Sequence, residues 1–124
     1  MNADVNALTE RVIGCVYAVS NGLGAGFLES VYDNAMAVEL SSAGVAYQRQ
    51  KALNVFYAGQ IVGPFAADFL IEDSVIVELK SVRSLLPEHQ AQLINYLKAA
   101  RLSVGLLVNF GTPKAQIKRM VHQL

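Results

Sequence analysis

A chain of 124 residues, 53% apolar and 16% charged, supports one packed domain spanning residues 1–124 and excludes an intrinsically disordered chain. Ten lysines and arginines balance ten aspartates and glutamates, so the net charge is zero and any electropositive surface for nucleic acid must be local. One cysteine excludes an intramolecular disulfide and a cysteine metal cluster.

Leu8, Val12, Cys15, Val16 and Val19 recur at helical spacing and predict a helix from about Asp4 to Ser20, with Cys15 a buried, inert thiol. Gly22 to Gly26 breaks it. A second helix runs from about Leu28 to Ser42, with Val31, Ala35, Val38 and Leu40 available for burial and Gly44 as a stop. The period then changes to that of strands. Ala52–Tyr57 and Gln60–Val62 flank a turn at Ala58-Gly59, and Pro64–Ile71 and Val75–Lys80 form the next pair. Pro87 suits the first turn of a third helix reaching about Arg101. Val104–Phe110 reads as a buried central strand, and Pro113 opens a last helix carrying Ile117, Met120 and Val121. The order α-α-β-β-β-β-α-β-α gives an α/β or α+β domain, a central mixed sheet flanked by helices.

The densest chemistry lies between Asp68 and Lys80. Glu78 and Lys80 are two residues apart on a strand and leave the same face. A three-residue turn over Glu72, Asp73 and Ser74 sets Asp68 opposite Glu78 on that face; a two-residue turn would send it to the other. Two hard carboxylates suit Mg²⁺ or Mn²⁺, which keep several waters and take few protein ligands. Such an ion activates water and polarises a phosphodiester, and Lys80 can position the water or offset charge on the phosphate. The spacing alone equally fits a polar face open to solvent.

Two helical stripes bear on this site. Glu29 and Tyr32 share a helix face, and a first-turn glutamate is also at home beside the helix dipole. The glycines before them do not form a phosphate loop, because a helix precedes them and no Gly-Lys-Ser/Thr follows; they let two helices turn tightly. On the third helix His89, Gln92 and Tyr96 form a stripe. Gln92 and Tyr96 can hydrogen-bond a phosphate or a metal-bound water, and His89 reads as a solvated side chain.

Together these motifs resemble a known family. Gly26-x-x-Glu29-x-x-Tyr32 is similar to the signature of the GxxExxY proteins, a group of the PD-(D/E)XK nuclease superfamily. Asp68, Glu78 and Lys80 match the superfamily's acid and Glu-x-Lys core. Gln92-Leu93-Ile94-Asn95-Tyr96 resembles the Gln-x-x-x-Tyr motif of its exonuclease-like branch, and Gly105 to Gly111 resembles its last strand. The sequence departs from the pattern where Ala67, not proline, precedes Asp68.

The resemblance implies a restriction-endonuclease-like core and a Mg²⁺- or Mn²⁺-dependent nuclease, most readily of DNA. Asp68, Glu78 and Glu29 would be metal ligands, Glu29 through a bound water, with Lys80 catalytic and Gln92, Tyr96 and Tyr32 positioning substrate. The alternative is a non-catalytic nucleic-acid-binding or protein-assembly module that keeps the fold. The high apolar content adds the expectation of a homodimer. The absence of a basic, apolar leader and of a membrane-length segment adds that of a soluble cytoplasmic protein with no membrane partner.

Overall fold

The computed structural model describes residues 2–124. Helices α1 (Asn2–Leu23) and α2 (Glu29–Ser42) precede three strands, β1 (Tyr47–Tyr57), β2 (Gln60–Ile71) and β3 (Val75–Lys80). Helix α3 (Pro87–Ala100) then leads to β4 (Val104–Asn109) and β5 (Gln116–Val121). The sheet order is β1-β2-β3-β4-β5, and β3–β4 is its one parallel pair. Parallel neighbours need a crossover, and α3 supplies it. The result is the expected mixed sheet flanked by helices.

The last element differs from expectation. Gln116–Val121 is a strand antiparallel to β4, not a helix. Ile117, Met120 and Val121 happen to fall at helical spacing. A strand there covers the edge of β4, which a helix would leave open, and Pro113 sits in the link before it. Gln60–Val62 and Pro64–Ile71 are also one strand, with a register shift at Val55/Phe56. Pro64 is tolerated because it lies where β3 no longer pairs with β2. β1 starts five residues earlier than expected, at Tyr47 rather than Ala52. The Ala58-Gly59 turn forms as read, with φ of 51° and 78°.

Each sheet face has its own core. On one, Val12, Val16 and Val19 of α1 and Met36 and Leu40 of α2 pack over Phe69, Val77, Leu106 and Val108. Cys15 lies in this layer, 5% exposed, its thiol pushed up by burial and by Glu39. On the other face, Leu93 and Leu97 of α3 cover Leu70, Ile76 and Leu107. Gly105 lets α3 approach: a Cβ there would lie 3.0 Å from Leu93 and 3.2 Å from the Ile76 carbonyl. α2 turns a different face inward from the one expected. Tyr32, Met36, Ala37 and Leu40 are buried, whereas Val31 and Val38 are exposed.

Candidate active site

β2 and β3 pair through Phe69–Val77, Leu70–Ile76 and Ile71–Val75 around the turn Glu72-Asp73-Ser74. This is the register that sets Asp68 opposite Glu78. Beyond Phe69 the ladder stops and carboxylates take over its hydrogen bonds. The Asp68 N–H donates to Glu78 Oε1 at 3.2 Å, and Asp68 Oδ2 accepts the Leu79 N–H at 2.8 Å. The two acids thus stand at a fork between strands, each fixed by the other's strand.

Glu78 is 6% exposed. Burial, then the charge and side-chain hydrogen bond of Asp68, raise its pKa to about 8; a backbone hydrogen bond and Lys80 oppose the shift without cancelling it. A carboxyl raised this way is a frequent mark of a functional site. The pair fits a divalent cation, because positive charge at the fork would let both acids ionise together. Asp68 and Glu78 are the residues that would hold it. Among the described residues no three His, Cys, Asp or Glu side chains converge to form a metal cluster. Glu29 therefore does not join the two acids as a direct third ligand here.

Glu29 and Asp68 instead line one cleft of about 310 Å³, together with Ser30, Asp33, Asn34, Arg49, Gln50 and Leu79. Gln50 Nε2 donates to Asp68 Oδ1 at 3.2 Å. Arg49 is ion-paired with Asp33, donates to Asn34 Oδ1 at 2.6 Å and lies 5.9 Å over the Phe69 ring. A cation and an amide thus join the acids on the cleft wall.

A family model described as the PD-(D/E)XK nuclease superfamily matches residues 6–120. The chain belongs to the PD-(D/E)XK nuclease superfamily. Among solved structures it is similar to the crystal structure of SSO0001, at 22% identity and a TM-score of 0.59, over 96% of this chain and 60% of that one. It is also similar to an alkaline exonuclease from Laribacter hongkongensis, at 14% identity and a TM-score of 0.55, over 76% of this chain and 56% of that one. These likenesses show the fold, and the chain spans 60% and 56% of the two structures. No curated protein matches the sequence. Among the described residues no helix is long and apolar enough to cross a membrane.

The other motif residues of this superfamily member fall in different places. Lys80 ends β3, opposite Asn109 and partly exposed. Tyr96 stacks on Phe65, centroids 4.1 Å apart, and its hydroxyl pKa is raised by burial and then by Glu78 and Asp68. Gln92 lies exposed one turn before it. His89 is not simply solvated: its Nδ1 accepts the Leu86 N–H at 3.0 Å and closes the start of α3. Tyr32 is 1% exposed and stacks on Phe110, centroids 4.6 Å apart. Its hydroxyl donates to the Gly24 carbonyl at 2.6 Å and accepts the Phe27 N–H at 3.2 Å. Tyr32 is thus buried and fastens the loop that leads into Glu29. Gly24 and Gly26 make that loop possible, with φ of 68° and 112°.

Sequence reasoning missed Arg49, Gln50 and Asn109. Gln50 has φ 48° in mid-strand, so the alternation that marks a strand fails there. Asn109 is fully buried. Its Oδ1 accepts the N–H groups of Val82 and Gly111, and its Nδ2 donates to the Val82 carbonyl and Gln116 Oε1. This clamps the segment that follows Lys80. A Cβ on Gly111 would run into the Val82 backbone. The glycine that closes the Gly105–Gly111 run is its one available signal.

Proposed function

We propose that this protein is a Mg²⁺- or Mn²⁺-dependent nuclease that hydrolyses phosphodiester bonds in DNA. The observation that carries the reading is the fork, where buried Glu78 and Asp68 are held together beside Lys80. Asp68 and Glu78 would hold the divalent ion, which when bound would supply polarisation of the phosphate and acidification of a water. Lys80, on the Glu78 face, orients the attacking water and offsets charge growing on the phosphate. Glu29, at the first residue of α2, acts from the wall of the cleft through a water. Arg49 draws a phosphate into the same cleft, and Gln92 and Tyr96 position the strand from α3.

The loop supports placing the chain in the GxxExxY group. Gly26 supplies a backbone conformation that other residues rarely adopt, Tyr32 fastens the loop, and Glu29 is set at the cleft. Self-association belongs to the same reading. Leu28, Val31 and Val38 form an exposed apolar stripe along α2, suited to a second copy. Light scattering that finds a dimer broken by Val38→Glu supports this; a monomer throughout removes it.

The deciding assay incubates the protein with single-stranded, nicked and duplex DNA, and with RNA, in Mg²⁺ or Mn²⁺. Cleavage of DNA that is lost in Glu78→Ala supports the proposal. No cleavage above the Glu78→Ala background on any substrate overturns it and leaves a binding module.

A further inference from the structure

The β1–β2 hairpin runs past the last β2–β3 pair, and its tip is apolar and open to solvent. Phe56, Tyr57, Ile61 and Val62 are 59–74% exposed. Among the described residues no packing accounts for four such side chains together. Between the hairpin and α3 lies a cleft of about 570 Å³, lined by Val55, Phe56, Phe65, Tyr96, Lys98 and Arg101 among others. That is ample for a small ligand. The stacked Phe65–Tyr96 pair ties it to the acids, since the Tyr96 hydroxyl feels both Glu78 and Asp68. The two ionic groups on its wall are the cations Lys98 and Arg101.

Arg101 adds an independent sign. It caps α3 in the left-handed region, at φ 57° and ψ 43°, where glycine or asparagine is usual. An arginine there costs conformational energy that glycine would not. Strain of this kind collects at working sites.

We propose that this cleft holds unpaired bases of a nucleic-acid strand, so that the substrate is single-stranded or frayed at its end; this rests on the nuclease reading above. Phe56 on the cleft wall and Tyr57 at the adjoining tip offer exposed stacking faces, and Lys98 and Arg101 meet the backbone phosphates, the combination by which proteins hold single strands. A paired base hides its faces in the duplex stack. A second copy docked symmetrically on this face would bring the cations of one chain toward those of the other, which disfavours that occupant.

The test is fluorescence anisotropy with short labelled oligonucleotides, single-stranded deoxy, single-stranded ribo and blunt duplex, with Ca²⁺ replacing Mg²⁺ to block turnover. Single strands of either sugar are expected to bind about tenfold more tightly than blunt duplex. Phe56→Ala and Arg101→Gly should each weaken that binding about fivefold or more, while Lys118→Ala on β5 leaves it unchanged. Arg101→Gly should at the same time leave thermal stability unchanged or raised, because glycine suits the left-handed cap, so that lost binding is not a loss of fold. Equal binding of duplex, or full binding by Phe56→Ala, overturns the inference. So does a Phe56→Ala variant that breaks a dimer and leaves strand binding intact. Strand binding without cleavage removes the nuclease reading alone. Cleavage of blunt duplex untouched by Phe56→Ala removes this inference alone.

Discussion

The two ends of β2 are built to opposite rules. At one end Ala67, Phe69, Leu70 and Ile71 are buried, and the carboxyl facing that segment, Glu78, is buried with them. At the other, Ile61 and Val62 stand in solvent with Phe56 and Tyr57 of β1. A carboxyl in the core opposes folding whenever it ionises. Apolar groups in solvent contribute nothing to the core. The fold must therefore support the fork from all sides, whereas the tip is free of the fold. Substitutions at the fork should trade activity against stability, and substitutions at the tip should leave stability alone.

The largest effect belongs to Glu78→Gln. An amide keeps the acceptor for the Asp68 N–H and can donate to the Asp68 carboxylate, so it imitates the protonated acid. Cleavage should fall to background. In metal-free protein the Glu78 pKa is raised from 4.5 to about 8, so its favourable contribution is complete below about pH 4.5 and is lost as pH rises through about 8. The variant should match the parent near pH 4 and exceed it by a few kcal/mol at neutral pH and above, by urea denaturation at several pH values. A constant difference across that window would break the comparison.

Asn109→Ala comes next. It strips four hydrogen bonds from a fully buried amide and strands the Val82 backbone groups, at about 3 kcal/mol. Thermal denaturation measures it. Tyr32→Phe keeps the ring stack and loses the two bonds to the glycine loop, at about 1–2 kcal/mol. Its rate of cleavage should fall with Glu29 less firmly set. At the other end of β2, Phe56→Ser and Tyr57→Ser should change stability by no more than about 0.5 kcal/mol. A larger loss would show that the tip is packed in solution.

The fork was legible in the sequence because two independent signals agree there. Alternation from Phe69 to Lys80 marks both strands, and of the two turns it leaves open, the three-residue Glu72-Asp73-Ser74 turn that brings Asp68 opposite Glu78 is the one the structure has. Elsewhere one signal stood alone and failed. Ile117, Met120 and Val121 fit a helix by spacing, but the open edge of β4 decides for a strand. Val31 and Val38 are apolar at helical spacing, yet α2 buries the face of Tyr32, Met36 and Leu40. Gln50 was hidden by its positive φ, which no periodicity reveals, and Arg49 lies just before that break. Asn109 reads as any polar residue until the Val82 segment folds over it.

Calorimetric titration of the metal-free protein with Mn²⁺ at several pH values, in buffers of different ionisation enthalpy, tests the fork most directly. Below the Glu78 pKa of about 8 an ion must displace a proton. Binding should tighten by up to about tenfold per pH unit, release up to about one proton near neutral pH, and vanish in the Asp68→Ala Glu78→Ala double variant. Binding that releases no proton, ignores pH, or survives the double substitution would contradict a metal site at the fork.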